Sequence, residues 1–98
     1  MKVNGRTTVG KLKTMFKDEF GIGVRVYNGK RFADDTSTLA SIRSADADAK
    51  KSGDFEVRGN MKVGNAEKAF KEAFGVSIQI ENKAGDLAKD DVTIASLK

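Results

Sequence analysis

The sequence carries one apolar pattern twice. Residues 9–26, VGKLKTMFKDEFGIGVRV, align without a gap with residues 63–80, VGNAEKAFKEAFGVSIQI, at an offset of 54. After one inserted residue, TLASIR at 38–43 matches TIASLK at 93–98. Chance does not preserve apolar positions through so many consecutive segments, so the pattern indicates an internal duplication.

Each repeat has the pattern of a helix followed by a strand. Apolar residues recur every three or four positions in 9–20 and 63–74, which is typical of amphipathic helices. Gly21 and Gly75 suit the left-handed residue that ends a helix. Strict alternation follows each helix and predicts a strand. The inward-pointing residues of these strands are Val24 and Val26 in one repeat and Ile78 and Ile80 in the other.

Shorter segments complete each repeat. A strand is expected before each helix, at 1–4 and at 55–58, and a short helical turn is expected at the end of each repeat. Between the repeats, 44–54 contains no large apolar residue and is interpreted as a flexible linker. The sequence therefore predicts a single domain at 1–98, divided into a first repeat at 1–43, a linker at 44–54 and a second repeat at 55–98.

Two βαβ units in one chain predict an α+β fold. A duplicated βαβ unit is the plan of the ferredoxin-like two-layer sandwich, in which two helices cover one face of a four-stranded antiparallel sheet. In that plan the first strands of the repeats are central and the second strands form the edges. The alternative is that each repeat is an incomplete unit that another chain completes.

The first repeat and the strand after it also resemble the ubiquitin-like β-grasp family. The resemblance covers residues 8–58: Thr8-Val9 and Leu12-Lys13 on the helix, the run RVYNGK at 25–30, Asp34-Asp35 before Thr38-Leu39, and a last strand at 55–58. The resemblance implies a β-grasp-like fold as an alternative and a protein-interaction surface. Conjugation chemistry is not implied, because residues 95–98, ASLK, lack the family's diglycine. The sequence also departs from the family in having only one strand before the helix.

The composition argues against an enzyme. The chain has no Cys and no His, which excludes thiolate chemistry and the commonest general base and metal ligand. The paired carboxylates at 34–35 and 90–91 are interpreted as helix caps and dipole partners. Residues 21–23, GIG, follow a helix instead of preceding one and lack the later Gly of a dinucleotide loop. We therefore expect no catalytic residue, no cofactor and no metal. The first residues lack the apolar stretch of a secretory signal, and a cytoplasmic location is expected.

Charge directs attention to the first repeat. The formal net charge is +4, and residues 1–43 hold nine Lys or Arg against four Asp or Glu, whereas 55–98 hold seven of each. The strand at 23–28 is predicted to lie on an edge and carries residue types that are common at interfaces. Between repeats, Arg25 and Tyr27 become Gln79 and Glu81. The predicted partner-binding residues are Arg25, Tyr27, Lys30, Arg31, Lys2 and Arg58.

These features favour a non-enzymatic protein–protein interaction module. It would bind an acidic protein through the basic first repeat and its edge strand, and a homodimer through that edge is a variant of the same hypothesis. A nucleic-acid-binding protein that uses the open sheet face is the alternative, because Lys2, Arg25, Tyr27 and Arg58 would share that face. A purely structural role is equally compatible with the pattern: Tyr27 would cover the sheet and Arg25 would pair with a nearby acid.

Overall fold

The computed structural model describes residues 2–42 and 55–97. The predicted linker at 44–54 lies outside the described residues. Two helices of 12 residues each, α1 (Val9–Phe20) and α2 (Val63–Phe74), occupy the predicted positions. Gly21 and Gly75 follow them with φ of 69°, and their N–H groups donate to the carbonyls of Lys17 and Lys71. Both predicted helix ends are confirmed, because only glycine adopts this left-handed conformation without a steric cost.

Within 2–42 and 55–97 the structure also contains five short strands and two short helical turns. The strands are β1 (Lys2–Val3), β2 (Val24–Asn28), β3 (Arg31–Phe32), β4 (Phe55–Glu56) and β5 (Ser77–Ile80), and the 3-10 turns span Ala40–Ile42 and Ala95–Leu97. Strand β1 pairs with β4 in a two-stranded antiparallel sheet. Strand β2 pairs with β3 on one side and with β5 on the other, in a three-stranded antiparallel sheet. The chain is thus a small compact α+β domain with two helices and two small antiparallel sheets.

The strand order corrects one prediction. The first strands of the two repeats pair with each other, as the ferredoxin-like plan requires. The second strands, however, are not separated at opposite edges: β2 lies in the middle of its sheet, between β3 and β5. The prediction that 23–28 forms an edge strand is therefore wrong. Alternation of apolar residues identifies the buried face of a strand, but it carries no information about which strand lies beside it.

Both interrepeat strand pairs place equivalent residues of the two repeats opposite each other, which is the pattern of a pseudo-twofold axis. In β2 and β5, Arg25 faces Gln79, and these two residues are equivalent at the repeat offset of 54. In β1 and β4, Lys2 faces Glu56, again an equivalent pair. On either side of Arg25 and Gln79 the pairing is reciprocal: Val24 faces Ile80, and Val26 faces Ile78. Each repeat therefore presents the same surface to the other, as the subunits of a twofold dimer do.

The core lies between the helices and the inward sides of the strands. The inward orientation predicted for Val24, Val26, Ile78 and Ile80 is confirmed, since each is at most 5% exposed. Both helices contribute apolar faces that include Phe16 and Phe70, which are fully buried. No polar or charged residue is buried in the part of the chain that the structure describes. Because this one core draws on both repeats, neither repeat buries its apolar face without the other.

The acidic loops explain the Val-Gly pair that opens each helix. The Gly10 N–H donates to the Asp35 carbonyl at 2.9 Å, and the Gly64 N–H donates to the Asp90 carbonyl at 3.0 Å. A Cβ added at Gly64 would lie 2.9 Å from the Asp90 Cβ, so only glycine permits this approach. In the described residues, neither Asp pair caps the short helical turn that follows it; at 40–42 the Ser41 N–H donates instead to Thr38 Oγ1 at 3.2 Å. The interpretation of these carboxylates as side-chain caps is therefore wrong, although they do lie against helix N-termini, where negative charge is favourable.

Candidate functional site

The structure divides the six predicted binding residues between two sheets. Arg25, Tyr27, Lys30 and Arg31 lie on or beside the hairpin of β2 and β3. Lys2 lies on β1, and Arg58 follows β4. The six residues thus form two groups rather than one continuous patch on a single sheet.

Arg25 has a partner in the second repeat. Its Nε lies 2.7 Å from Glu81 Oε2, with side chains that are 33% and 23% exposed. Its Nη2 also donates to the Gly85 carbonyl at 3.3 Å. The hydrogen bond to Glu81 raises the pKa of Arg25 above its ordinary value, against the opposing effect of burial. Arg25 therefore joins the two repeats and is not an unpaired cation.

Tyr27 is also engaged across the same strand pair. Its hydroxyl donates to Gln79 Oε1 at 2.5 Å. Gln79 and Glu81 are the residues that replace Arg25 and Tyr27 in the second repeat, so the divergence between repeats is complementary. The contacts account for this divergence without any external partner. Substituting Arg25 or Tyr27 would consequently perturb the sheet as well as its surface.

Lys2 and Arg58 surround a carboxylate. Lys2 faces Glu56 in the β1–β4 pair, and Arg58 Nη2 lies 2.8 Å from Glu56 Oε1. The hydrogen bond from Arg58, followed by its charge, lowers the pKa of Glu56. These side chains are exposed, and pairs of this kind contribute little to stability. They leave less positive charge available here than the sequence suggests.

The tip of the first hairpin presents cations and an aromatic ring. Asn28 pairs with Arg31, so Gly29 and Lys30 form a two-residue turn, with φ of 67° at Gly29. This confirms the turn predicted at Asn28-Gly29 and fits a turn with glycine at its first central position. Lys30 and Arg31 are exposed, and neither makes an ion pair with any residue in 2–42 or 55–97.

Phe32 is the residue that sequence reasoning missed. Its side chain is 66% exposed, and its ring stacks on Tyr27 with centroids 5.2 Å apart and planes 22° apart. Strand β3 is two residues long, too short for a periodic pattern to reveal it. The available signal was the turn, because a two-residue loop after Asn28 fixes the register and places Phe32 opposite Tyr27. We call Tyr27, Lys30, Arg31 and Phe32 the hairpin surface.

A second exposed apolar side chain occupies the equivalent position in the other repeat. Leu87 is 46% exposed and lies opposite Glu81 in an isolated bridge, as Phe32 lies opposite Tyr27. Beside Phe32 lies an open groove of about 390 Å³, lined by Lys13, Gly23, Val24, Arg25, Phe32 and Glu81. The first repeat thus combines an exposed ring with a groove and nearby cations.

Neither a metal centre nor a membrane span is found in the described chain. No group of three or more His, Cys, Asp or Glu residues within 2–42 and 55–97 is placed to hold a metal ion. No helix in these two segments is long and apolar enough to cross a membrane. No protein-family model, no curated protein and no solved structure shows a significant match to this chain. Any function of the candidate site must therefore be inferred from its own residues and contacts.

Proposed function

We propose that the chain is a non-enzymatic protein-binding module whose contact region is the hairpin surface. The observation that carries the proposal is the 66% exposure of Phe32. A large aromatic ring that remains in water is a natural anchor for a partner, and aromatic residues and arginine are enriched at interface hot spots. The stacking on Tyr27 fixes the ring, so less side-chain freedom is lost when a partner binds.

The edge of the sheet favours an extended partner segment. Strand β3 is the outer strand, and the Ala33 N–H donates to the Val26 carbonyl at 2.9 Å. Since hydrogen-bonded and non-hydrogen-bonded pairs alternate, the main-chain N–H and C=O of Phe32 point away from β2. Arg31 and Phe32 project to opposite faces, so a segment running along this edge would contact both. The proposed edge is thus β3 instead of β2.

Charge indicates an acidic partner. Lys30 and Arg31 have no ion pair within the described segments, whereas Arg25 is matched by Glu81. A partner with carboxylates near an apolar side chain would neutralise the two cations and cover Phe32. The neighbouring groove, with Lys13 and Arg25 in its lining, would accept that apolar side chain.

Two finer assignments belong to the same proposal. We infer a duplicated βαβ plan that is ferredoxin-like in the antiparallel pairing of its first strands, β1 and β4, and in its two equivalent helices. It differs from the ferredoxin-like sheet in the pairing of its second strands, β2 and β5. The β-grasp resemblance of residues 8–58 is the alternative. A cytoplasmic location is proposed on the absence of Cys from the sequence.

Nucleic acid is the second candidate because Tyr27 and Phe32 lie side by side near two cations. RNA-binding sheets use neighbouring aromatic residues to stack bases. Glu56 and Glu81 weaken this reading, since both carboxylates neutralise basic residues of the candidate set. Anisotropy of a labelled single-stranded oligonucleotide at two salt concentrations separates the two functions. Binding that falls steeply with salt supports nucleic acid, and no binding at about 100 µM in low salt removes it.

The protein-binding proposal is tested with a displayed library of random peptides. Selection against the wild-type protein should enrich peptides with Asp or Glu beside an aliphatic or aromatic residue. For a synthetic peptide of that sequence, Phe32→Ser should weaken binding at least about tenfold, as expected for the loss of an interface anchor.

The repeat supplies a matched control for this test. Leu87→Ser removes the exposed apolar side chain at the equivalent position, and binding should stay within about twofold of wild type. Circular dichroism would check that both variants keep their fold. Selected peptides without acidic residues, or equal effects of the two substitutions, would contradict the proposal.

A further inference from the structure

The residues on the pseudo-twofold axis are complementary only between unlike repeats. Lys2 faces Glu56 in one sheet, and Arg25 faces Gln79 in the other. The diagonal neighbours of the second pair complete the match: Arg25 bonds to Glu81, and Tyr27 bonds to Gln79. Each of these polar contacts at the centre of the interrepeat interface thus joins residue types that differ between repeats.

Pairing of like repeats would lose this complementarity. In two first repeats related by the same axis, Lys2 would face Lys2 and Arg25 would face Arg25. In two second repeats, Glu56 would face Glu56, and no arginine would be available to Glu81. Like charges directly opposite in a sheet are unfavourable, so the sequence differences favour pairing of a first repeat with a second.

This interface does not require that the two paired repeats belong to the same molecule. The contacts that define it lie within the paired strands, and one core unites the two repeats. A first repeat of one molecule and a second repeat of another can make the same contacts, because exchange of equivalent elements creates no new interface. Pairing within one molecule prevails in dilute solution because of its higher effective concentration. Pairing between two molecules becomes competitive near millimolar protein.

We propose that each repeat is a binding surface for the unlike repeat of a second copy of this chain, with the Arg25–Glu81 contact as its charge selector. The resulting species is a reciprocally exchanged dimer that contains two native-like interfaces. This partner differs from the acidic segment proposed for the hairpin surface, and the interrepeat contacts carry it independently.

The test uses two full-length variants that are each mismatched internally. Arg25→Glu places a carboxylate beside Glu81, and Glu81→Arg places a guanidinium beside Arg25. In an exchanged dimer of one copy of each, one interface joins the unchanged Arg25 of one chain to the unchanged Glu81 of the other, as in wild type. The second interface joins the two substituted positions, where the opposite charges are exchanged. The two variants, one isotopically labelled, are unfolded together in denaturant, refolded at about 1 mM and analysed by native mass spectrometry.

The heterodimer should exceed either homodimer by about tenfold, since a homodimer of either variant retains two like-charge contacts. The chain that carries both substitutions restores the contact internally and should show no such excess when refolded with wild type. If a single variant fails to fold alone, folding on mixing supports the proposal equally. A mixture with no more heterodimer than the statistical share, or one that stays unfolded, overturns it.

Discussion

The two repeats keep the same main-chain contacts with different side chains. The Val9 N–H donates to the Ser37 carbonyl, and the equivalent Val63 N–H donates to the Val92 carbonyl, both at 2.8 Å. Ser37 and Val92 differ completely in polarity, but only their carbonyls are used. The comparison shows that the shared apolar positions and backbone geometry determine the fold, while exposed side chains are available for other purposes.

The edges of the three-stranded sheet differ between repeats, and at the edge of the second repeat a Glu67 carboxylate oxygen accepts a backbone hydrogen bond. In the first repeat the outer strand β3 pairs with β2. In the second repeat, which contains the inserted residue, a single bridge joins Glu81 to Leu87. Beside it the Ile80 N–H donates to Glu67 Oε2 at 2.8 Å. The residue equivalent to Glu67 in the first repeat is Lys13, whose Nζ instead lies 2.9 Å from Asp35 Oδ1. A side chain thus satisfies a backbone donor near the altered edge.

The largest expected effect probes whether equivalent aromatic residues of the two repeats contribute equally to the shared core. Phe16 and Phe70 are equivalent and fully buried, but Phe70 contacts two rings, those of Phe55 and Phe74, whereas Phe16 contacts the ring of Phe20. Replacement by alanine should cost about 3–5 kcal/mol at either position. The cost at Phe70 should be greater by about 0.5–1.5 kcal/mol because it loses the additional ring contact.

Urea unfolding at constant protein concentration would measure this difference. Since the alanine variants risk complete unfolding, Phe16→Leu and Phe70→Leu provide a milder pair with the same expected order. Equal costs in both pairs would show that the extra aromatic contact contributes nothing, and the two Phe positions would then be energetically equivalent.

A smaller effect is expected at the helix starts. Thr8 caps α1, its hydroxyl oxygen accepting from the Lys11 N–H at 3.1 Å, whereas Lys62 caps α2 without a side-chain hydrogen bond. The backbone is extended at both positions, so a threonine introduced in place of Lys62 could adopt the same geometry as Thr8. Thr8→Ala should destabilise the protein by about 1 kcal/mol, and Lys62→Thr should stabilise it by up to about the same amount. The urea midpoint should move in opposite directions at unchanged slope, and a shift in the same direction would contradict the assignment.

The helices and the inward residues of β2 and β5 could be predicted from sequence because each depends on a local period or a single glycine. The neighbours of each strand could not. Arg25 and Glu81 are 56 positions apart, and their contact depends on the register of two strands. The same alternation fits an edge strand and a central one, so the placement of 23–28 at an edge failed. Phe32 escaped notice because a two-residue strand has no measurable period.

The smallest expected effect concerns Glu67, near the altered edge. Its sign distinguishes a partly buried carboxylate from an ordinary surface acid. Burial raises the pKa of Glu67 above its ordinary value of 4.5, the hydrogen bond from the Ile80 N–H opposes the rise, and Asp90 adds to it. A raised pKa means that the contribution of Glu67 to stability is complete below pH 4.5 and is lost as pH rises through the higher value. Glu67→Gln keeps an oxygen acceptor for Ile80 but cannot ionise. The stability of this variant relative to wild type should therefore increase from about pH 4 to about pH 7, by less than the roughly 1 kcal/mol of the cap.

Glu72→Gln, an exposed change on the same helix, removes the same charge and controls for its general effect. Denaturant unfolding across this pH range measures both. If the two variants show the same pH dependence, the carboxylate at position 67 behaves as a surface acid and burial does not raise its pKa.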